Sequence, residues 1–215
     1  MQRTAFLMRI LPGRKAEFIA KAGNPSDDLK KAVCESGISN FSIWSVSDYA
    51  FGYMEIADGA ATPDSAKAIF ADAEQAVSGL AEFIARPGEM RLMYEDLGVV
   101  HPDKSEIRHR VFATLIHPGC ADEYKLRHDR LSEGRKGRPV MDHSDSNFTI
   151  WCADGRYNFG YCEKVKAFDH EMTEREKEST IAWETKMVEI MDWLTDDVDW
   201  ITGETHDKME CVVQF

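Results

Sequence analysis

Tyr124 and His128 stand four residues apart. On a helix that spacing puts both side chains on one face, one turn apart. An imidazole with an ordinary pKa near 6.5 gains or loses a proton at neutral pH, so His128 suits general acid or base work beside a phenol. The same spacing also serves plain packing. A second candidate group is Phe159, Tyr161 and Glu163. These residues alternate along one stretch and would share a strand face, where Glu163 could act as base or hydrogen-bond acceptor. Phe51, Tyr53 and Glu55 repeat the pattern without a histidine partner, which favours a structural role for the aromatics. Trp183 lies in a helical stretch rich in Glu and Lys, either as a core anchor or as a stacking platform for a ligand.

Other chemistry is weakly signalled. His109 and His117 are eight apart, about 26 Å along a strand, too far to share a metal there. His143 sits in a polar loop as a candidate lid residue, and Arg135, Lys136 and Arg138 form a small basic cluster, a solvated loop or an anion contact. The chain contains neither a Gly-rich phosphate loop nor HExxH. Its five cysteines are odd in number and include no CxxC, so neither a disulfide framework nor a zinc site is expected. No metal and no cofactor are expected.

The elements that must position these residues are written twice. Asn40-Phe41-Ser42-Ile43-Trp44 returns as Asn147-Phe148-Thr149-Ile150-Trp151, and Phe51-Gly52-Tyr53 returns as Phe159-Gly160-Tyr161. Pro12-Gly13 matches Pro118-Gly119, so the offset stays between 106 and 108 residues. A common register over that many positions indicates a tandem duplication. The stretch near 98–108 contains His-Pro-Asp-Lys and reads as a linker, giving repeats 1–104 and 105–215. Each repeat opens with an apolar strand ending at Pro-Gly, followed by a helix and two strands joined by a short turn, Ser-Asp in the first and Asp154-Gly155 in the second. A long helix follows, expected over Pro63–Ala85 and about Asp169–Leu194. MRLMYED and MECVVQF close the repeats as strands. The order βαββαβ is the ferredoxin-like α+β unit. One such unit leaves a sheet face bare. The expectation is therefore two antiparallel sheets packed as an intramolecular dimeric α+β barrel.

Composition narrows the partners. A formal net charge of −12 argues against a nucleic-acid groove and against an anionic membrane surface. No apolar run reaches the roughly 18 residues of a membrane helix, and the first residues lack a signal peptide's apolar region, so a cytoplasmic location is expected.

AFLMRILPGRKAEF, the strand pair NFSIWSV and FGYMEI, and Tyr124-x-x-x-His128 together resemble the L-rhamnose mutarotases. The resemblance covers both halves and implies a small cytoplasmic protein of this fold. In that family a Tyr-x-x-x-His sits on the first helix, its histidine the proton donor and followed by Asn-Pro. Asp129-Arg130 stands in place of Asn-Pro here, and the first repeat has Phe18 and Ala22 at the Tyr and His positions, with Asn24-Pro25 shifted by one residue. A family tyrosine at the second strand is replaced by Phe41 and Phe148. Family tryptophans on the second helix help form the sugar pocket, and Trp183 can match one of them. The resemblance thus implies one site, in the second repeat, and a degenerate first copy.

Mutarotation opens a cyclic sugar and recloses it on the opposite face, which needs only a base for the anomeric hydroxyl and an acid for the ring oxygen. The expected catalytic set is His128, Tyr124 and Glu163, with Trp183, Phe148, Tyr161 and Trp151 binding a small sugar. Two alternatives remain: a binding module that kept the pocket and lost catalysis, and another dimeric α+β barrel chemistry, cofactor-independent monooxygenation or haem handling. The latter would need His128, His109 or His117 to face the barrel interior. A monomer is viable, and a homodimer forms if a closing strand crosses to another chain.

Overall fold

The computed structural model describes residues 1–59, 63–135, 145–168, 171–195, 201–203, 206 and 208–215; for 63–69, 132–135 and 168 it describes the backbone. Lys136, Arg138 and His143 lie outside the described residues.

The elements run β1 (Gln2–Ile10), α1 (Lys15–Ala22), α2 (Asp27–Glu35), β2 (Ile38–Val46), β3 (Tyr49–Ile56), α3 (Pro63–Ala76), β4 (Ala81–Ala85) and β5 (Arg91–Asp96). They continue with β6 (Ile107–Ile116), α4 (Ala121–Arg135), β7 (Asp145–Ala153), β8 (Tyr157–Val165), α5 (Glu174–Met187), β9 (Met191–Thr195) and β10 (Glu210–Gln214). The fold is α+β, ferredoxin-like and duplicated, with two five-stranded antiparallel sheets of order β10-β2-β3-β1-β4 and β5-β7-β8-β6-β9. No helix among the described residues is long and apolar enough to cross a membrane.

The two long helices are shorter than expected. Each ends early and the chain returns as a short strand, β4 or β9, hydrogen-bonded to the first strand of its repeat. Met191 and Leu194 fit a helical spacing with Met187, yet they belong to β9. Backbone pairing with β6 wins over that local pattern. The start of α5 is set by a capping box, Thr173 with Glu176.

The closing strands are exchanged. β5, which ends the first repeat, pairs with β7: Arg91 stands opposite Cys152, Tyr94 opposite Ile150 and Asp96 opposite Phe148. β10, which ends the second, pairs with β2: Cys211 opposite Trp44, Val213 opposite Ile43. The compact units are accordingly Met1–Met90 with Met209–Phe215, and Arg91–Lys208, instead of a simple cut at 104 and 105.

In the second unit the helices cover one sheet face. The ring of Phe112 lies over Gly160, where an added Cβ would sit 2.2 Å from ring carbons. Phe6 covers Gly52 in the same way in the first unit, at 2.0 Å. A glycine is required at both positions by this close approach. Phe112 packs with Tyr124, Ile150, Met187 and Met191 in one core, against which Phe148, Trp183 and Trp193 also lie.

Candidate functional site

His128 projects from α4 into that core and is only 5% exposed. Among the described residues three aromatic rings pack against it. Tyr124 stacks on it at 4.5 Å between centroids, one helical turn earlier. Trp183 of α5 meets it edge-on at 5.0 Å, and Tyr94 of β5 stands at 5.3 Å. Phe148 of β7 closes on Tyr94 at 5.2 Å and on Phe112 at 6.1 Å. Four of the expected residues, His128, Tyr124, Trp183 and Phe148, are therefore brought together by α4, α5 and the sheet.

The imidazole's state follows from its surroundings. Burial pushes its pKa down to about 4, partly offset by the Tyr124 main-chain bond and by Asp129. The ring is thus neutral at pH 7. Its Nδ1 lies 3.0 Å from the Tyr124 carbonyl oxygen. That oxygen can only accept, so we assign the ring proton to Nδ1, which leaves Nε2 with a bare lone pair. The arrangement presents a base.

Tyr124 is placed differently from a second acid. Burial, with Cys152 adjacent, raises its phenol well above the ordinary tyrosine value, and its hydroxyl is hydrogen-bonded to Asn158 and Thr114. Asn158 in turn donates to Thr114 Oγ1 at 3.3 Å. The hydroxyl is thus tied to the sheet, and what Tyr124 gives His128 is its ring face and its carbonyl.

The remaining expected residues occupy the other side of the sheet. Phe159, Tyr161 and Glu163 alternate with Gly160, on which Phe112 sits, so they face away from α4 and α5. Trp151 pairs with Phe159 and Thr149 with Tyr161, which puts both on that same face. Trp151 Nε1 donates to Thr149 Oγ1 at 3.0 Å. Glu163 is fully buried (0% exposed) and accepts from Tyr161 at 3.0 Å, from Asn147 at 2.9 Å and from Lys104 at 2.8 Å on each oxygen. The first unit repeats most of this cluster: Glu55 accepts from Tyr53 and from Asn40, both at 3.1 Å. Asn40 and Asn147 both take left-handed backbone, φ 49° and 51°, at irregularities in the strand pairing that aim their amides at the carboxylates. His109 stands on this second face too, 5.4 Å from the Tyr161 ring, and burial lowers its pKa. His117 lies 3.2 Å from Asp192.

Tyr94 was not foreseen as a site residue. Its hydroxyl donates to Asp96 at 3.3 Å, which puts a second hydrogen-bonding pair beside His128. Tyr94 and Asp96 are two apart on a strand, a visible sign that they share a face. Their strand, however, reads in sequence as part of the first repeat, and only the strand exchange delivers it to the second unit.

Several known proteins are similar to this chain. A candidate monooxygenase from Fusobacterium nucleatum subsp. nucleatum ATCC 25586 shares 11% identity, with 88% of this chain and 87% of that one covered and a TM-score of 0.47. An anthrone oxidase-like protein shares 11%, covering 98% and 93%, with a TM-score of 0.47. A candidate monooxygenase from Lactobacillus acidophilus NCFM shares 10%, covering 100% and 99%, with a TM-score of 0.45. Nothing about chemistry follows from identities this low. No curated protein matches the chain. Residues 109–214 match the family model of L-rhamnose mutarotase, so it is the second repeat that carries the likeness to that family.

Proposed function

We propose that the second repeat interconverts the α and β anomers of a small aldose, L-rhamnose or a close relative, with His128 as the proton carrier. The observation that carries this reading is a neutral, buried imidazole held by its Nδ1 and enclosed by Tyr94, Tyr124 and Trp183. Nε2 takes the proton of the anomeric hydroxyl. The C1–O5 bond then breaks with its electron pair moving to O5, which receives that proton from the imidazolium. Rotation about C1–C2 and reversal of the same steps recloses the ring on its other face. The proton is returned within each cycle, so one histidine serves as base and then as acid. Trp183 and Phe148 offer flat apolar surface to the C–H face of the sugar, and the Tyr94–Asp96 pair offers a hydroxyl and a carboxylate to its polar edge.

In this reading Tyr124 positions His128 and does not touch the sugar. Glu163, Tyr161 and Trp151 hold the opposite sheet face. All five cysteines are free, which fits a reducing compartment such as the cytoplasm.

The test is NMR exchange spectroscopy between the anomers of L-rhamnose, L-fucose and related aldoses, with wild type and His128→Ala. Accelerated exchange that vanishes in the variant is expected. If no aldose is exchanged faster than in buffer, the catalytic reading fails. Saturation-transfer contacts to a sugar in that case would mark a binding module.

A further inference from the structure

We propose that the first unit holds a separate site, an apolar pocket for a neutral molecule of about fused-bicyclic size. A cavity of about 290 Å³ lies among α1, α2, α3 and the sheet, and five phenylalanines line it: Phe6, Phe41, Phe70, Phe83 and Phe215. An apolar cavity of about 150 Å³ already accepts benzene, so this one has room for roughly two fused rings.

Its origin is visible when the repeats are superposed by register. Pro12 matches Pro118 at an offset of 106, which puts Ala22 where the second unit has His128. Leu11 N bonds Leu80 O as His117 N bonds Ile190 O, and Leu80 N bonds Val77 O as Ile190 N bonds Met187 O. One turn before Val77 and Met187, Ala73 therefore stands where the second unit has Trp183. On the exchanged strands Val213 faces Ile43 as Tyr94 faces Ile150. An imidazole, an indole and a phenol are thus replaced by Ala22, Ala73 and Val213, and all three line the cavity. The first unit thus lacks the groups that would handle a hydroxylated ligand, and smaller apolar side chains at their positions line a cavity.

The chemistry of the walls sets the ligand class. Phe215 stands where the second unit has Asp96, so a phenyl ring replaces that side-chain carboxylate. The polar groups of two exposed rim residues are engaged, since Asn24 Nδ2 donates to Ala20 O at 2.9 Å and Ser26 Oγ accepts from Leu29 N at 3.2 Å. Exposed Lys21 also lines the cavity, while the part walled by phenylalanines would leave sugar hydroxyls unpaired. Aromatic rings pack well against it, face or edge.

The test uses the full chain with naphthalene and indole as probes, read by calorimetry and by methyl NMR shifts. Wild type should bind with a Kd on the order of 100 µM or tighter, as a well-enclosed ligand of about ten heavy atoms can reach. Shifts should concentrate at Met8, Leu29 and Val33. Ala73→Trp, which puts back the indole, should weaken binding at least tenfold. Ala22→Leu does the same with a smaller side chain if the first variant does not fold. Absence of binding by wild type, undiminished binding in the folded variants, or shifts confined to the second unit would each overturn the proposal. Sugar exchange is a separate readout. A chain that exchanges no aldose but binds naphthalene in this way leaves the inference standing, and the converse removes it alone.

Discussion

The Nδ1 atom of His128 lies 3.0 Å from the main-chain oxygen of Tyr124, the residue one turn earlier on α4. This contact fixes the tautomer, and burial sets the pKa at about 4. Two consequences for pH follow. Catalysis needs the bare Nε2, so enzymatic exchange should stay flat from about pH 8 to pH 5 and fall only as pH approaches 4. An inflection near 6.5 in the rate profile would show that the imidazole is not buried as described.

Stability should respond to the same group. The folded-state pKa lies below the unfolded value near 6.5, so the unfolded chain binds the proton first as pH falls. The native state is then destabilised progressively between about pH 6.5 and pH 4, by about 3 kcal/mol in total, and no further below that. His128→Gln, which does not titrate, should show a correspondingly flatter profile in urea melts across that window.

Tyr94 meets the site through its ring beside His128 and its bond to Asp96. Tyr94→Phe keeps the ring and removes the hydroxyl. We expect kcat/KM for exchange to drop about tenfold, the worth of one hydrogen bond to substrate, while Tm moves little. An unchanged kcat/KM would remove Tyr94 from the polar edge of the site.

Trp183 makes edge contact with His128 and lies half-buried on α5. Trp183→Ala should raise KM strongly and cost about 2 kcal/mol of stability, less than for a fully buried indole. Trp183→Phe should restore part of the lost affinity. If both variants bind sugar as wild type does, the platform role is wrong.

Glu163 separates structure from catalysis. Its carboxylate is held by Lys104, Asn147 and Tyr161 on the face away from His128. Glu163→Gln leaves the Lys104 ammonium without its counter-charge, and a loss of about 3 kcal/mol or more is expected in chemical denaturation. Exchange per folded molecule should stay within about twofold of wild type, since no reacting group is touched. A collapse of exchange in folded Glu163→Gln would instead put the reaction on that face.

How much of this was legible beforehand differs from element to element. Repeated Asn-Phe-x-Ile-Trp and Phe-Gly-Tyr stretches carry the duplication, because identical side-chain patterns at a fixed offset need no structure to be seen. Tyr124 and His128 were also legible, since a four-residue spacing on one helix is local geometry. Glu163 was correctly put with Tyr161 on one strand face. Which side of the sheet that face looks toward was not legible, because alternation distinguishes two faces without saying which one the helices cover. Phe112 over Gly160 decides it.

The sequence by itself therefore determined the repeats, the helix that carries His128 and the alternation of each strand, all of which rest on interactions between near neighbours in the chain. Tertiary structure alone decided that β5 closes the second sheet and β10 the first, and so that Tyr94 stands beside His128. The reason is physical. A strand joins a sheet edge through backbone N–H and C=O groups that every residue carries, so its own side chains do not name the edge it will fill.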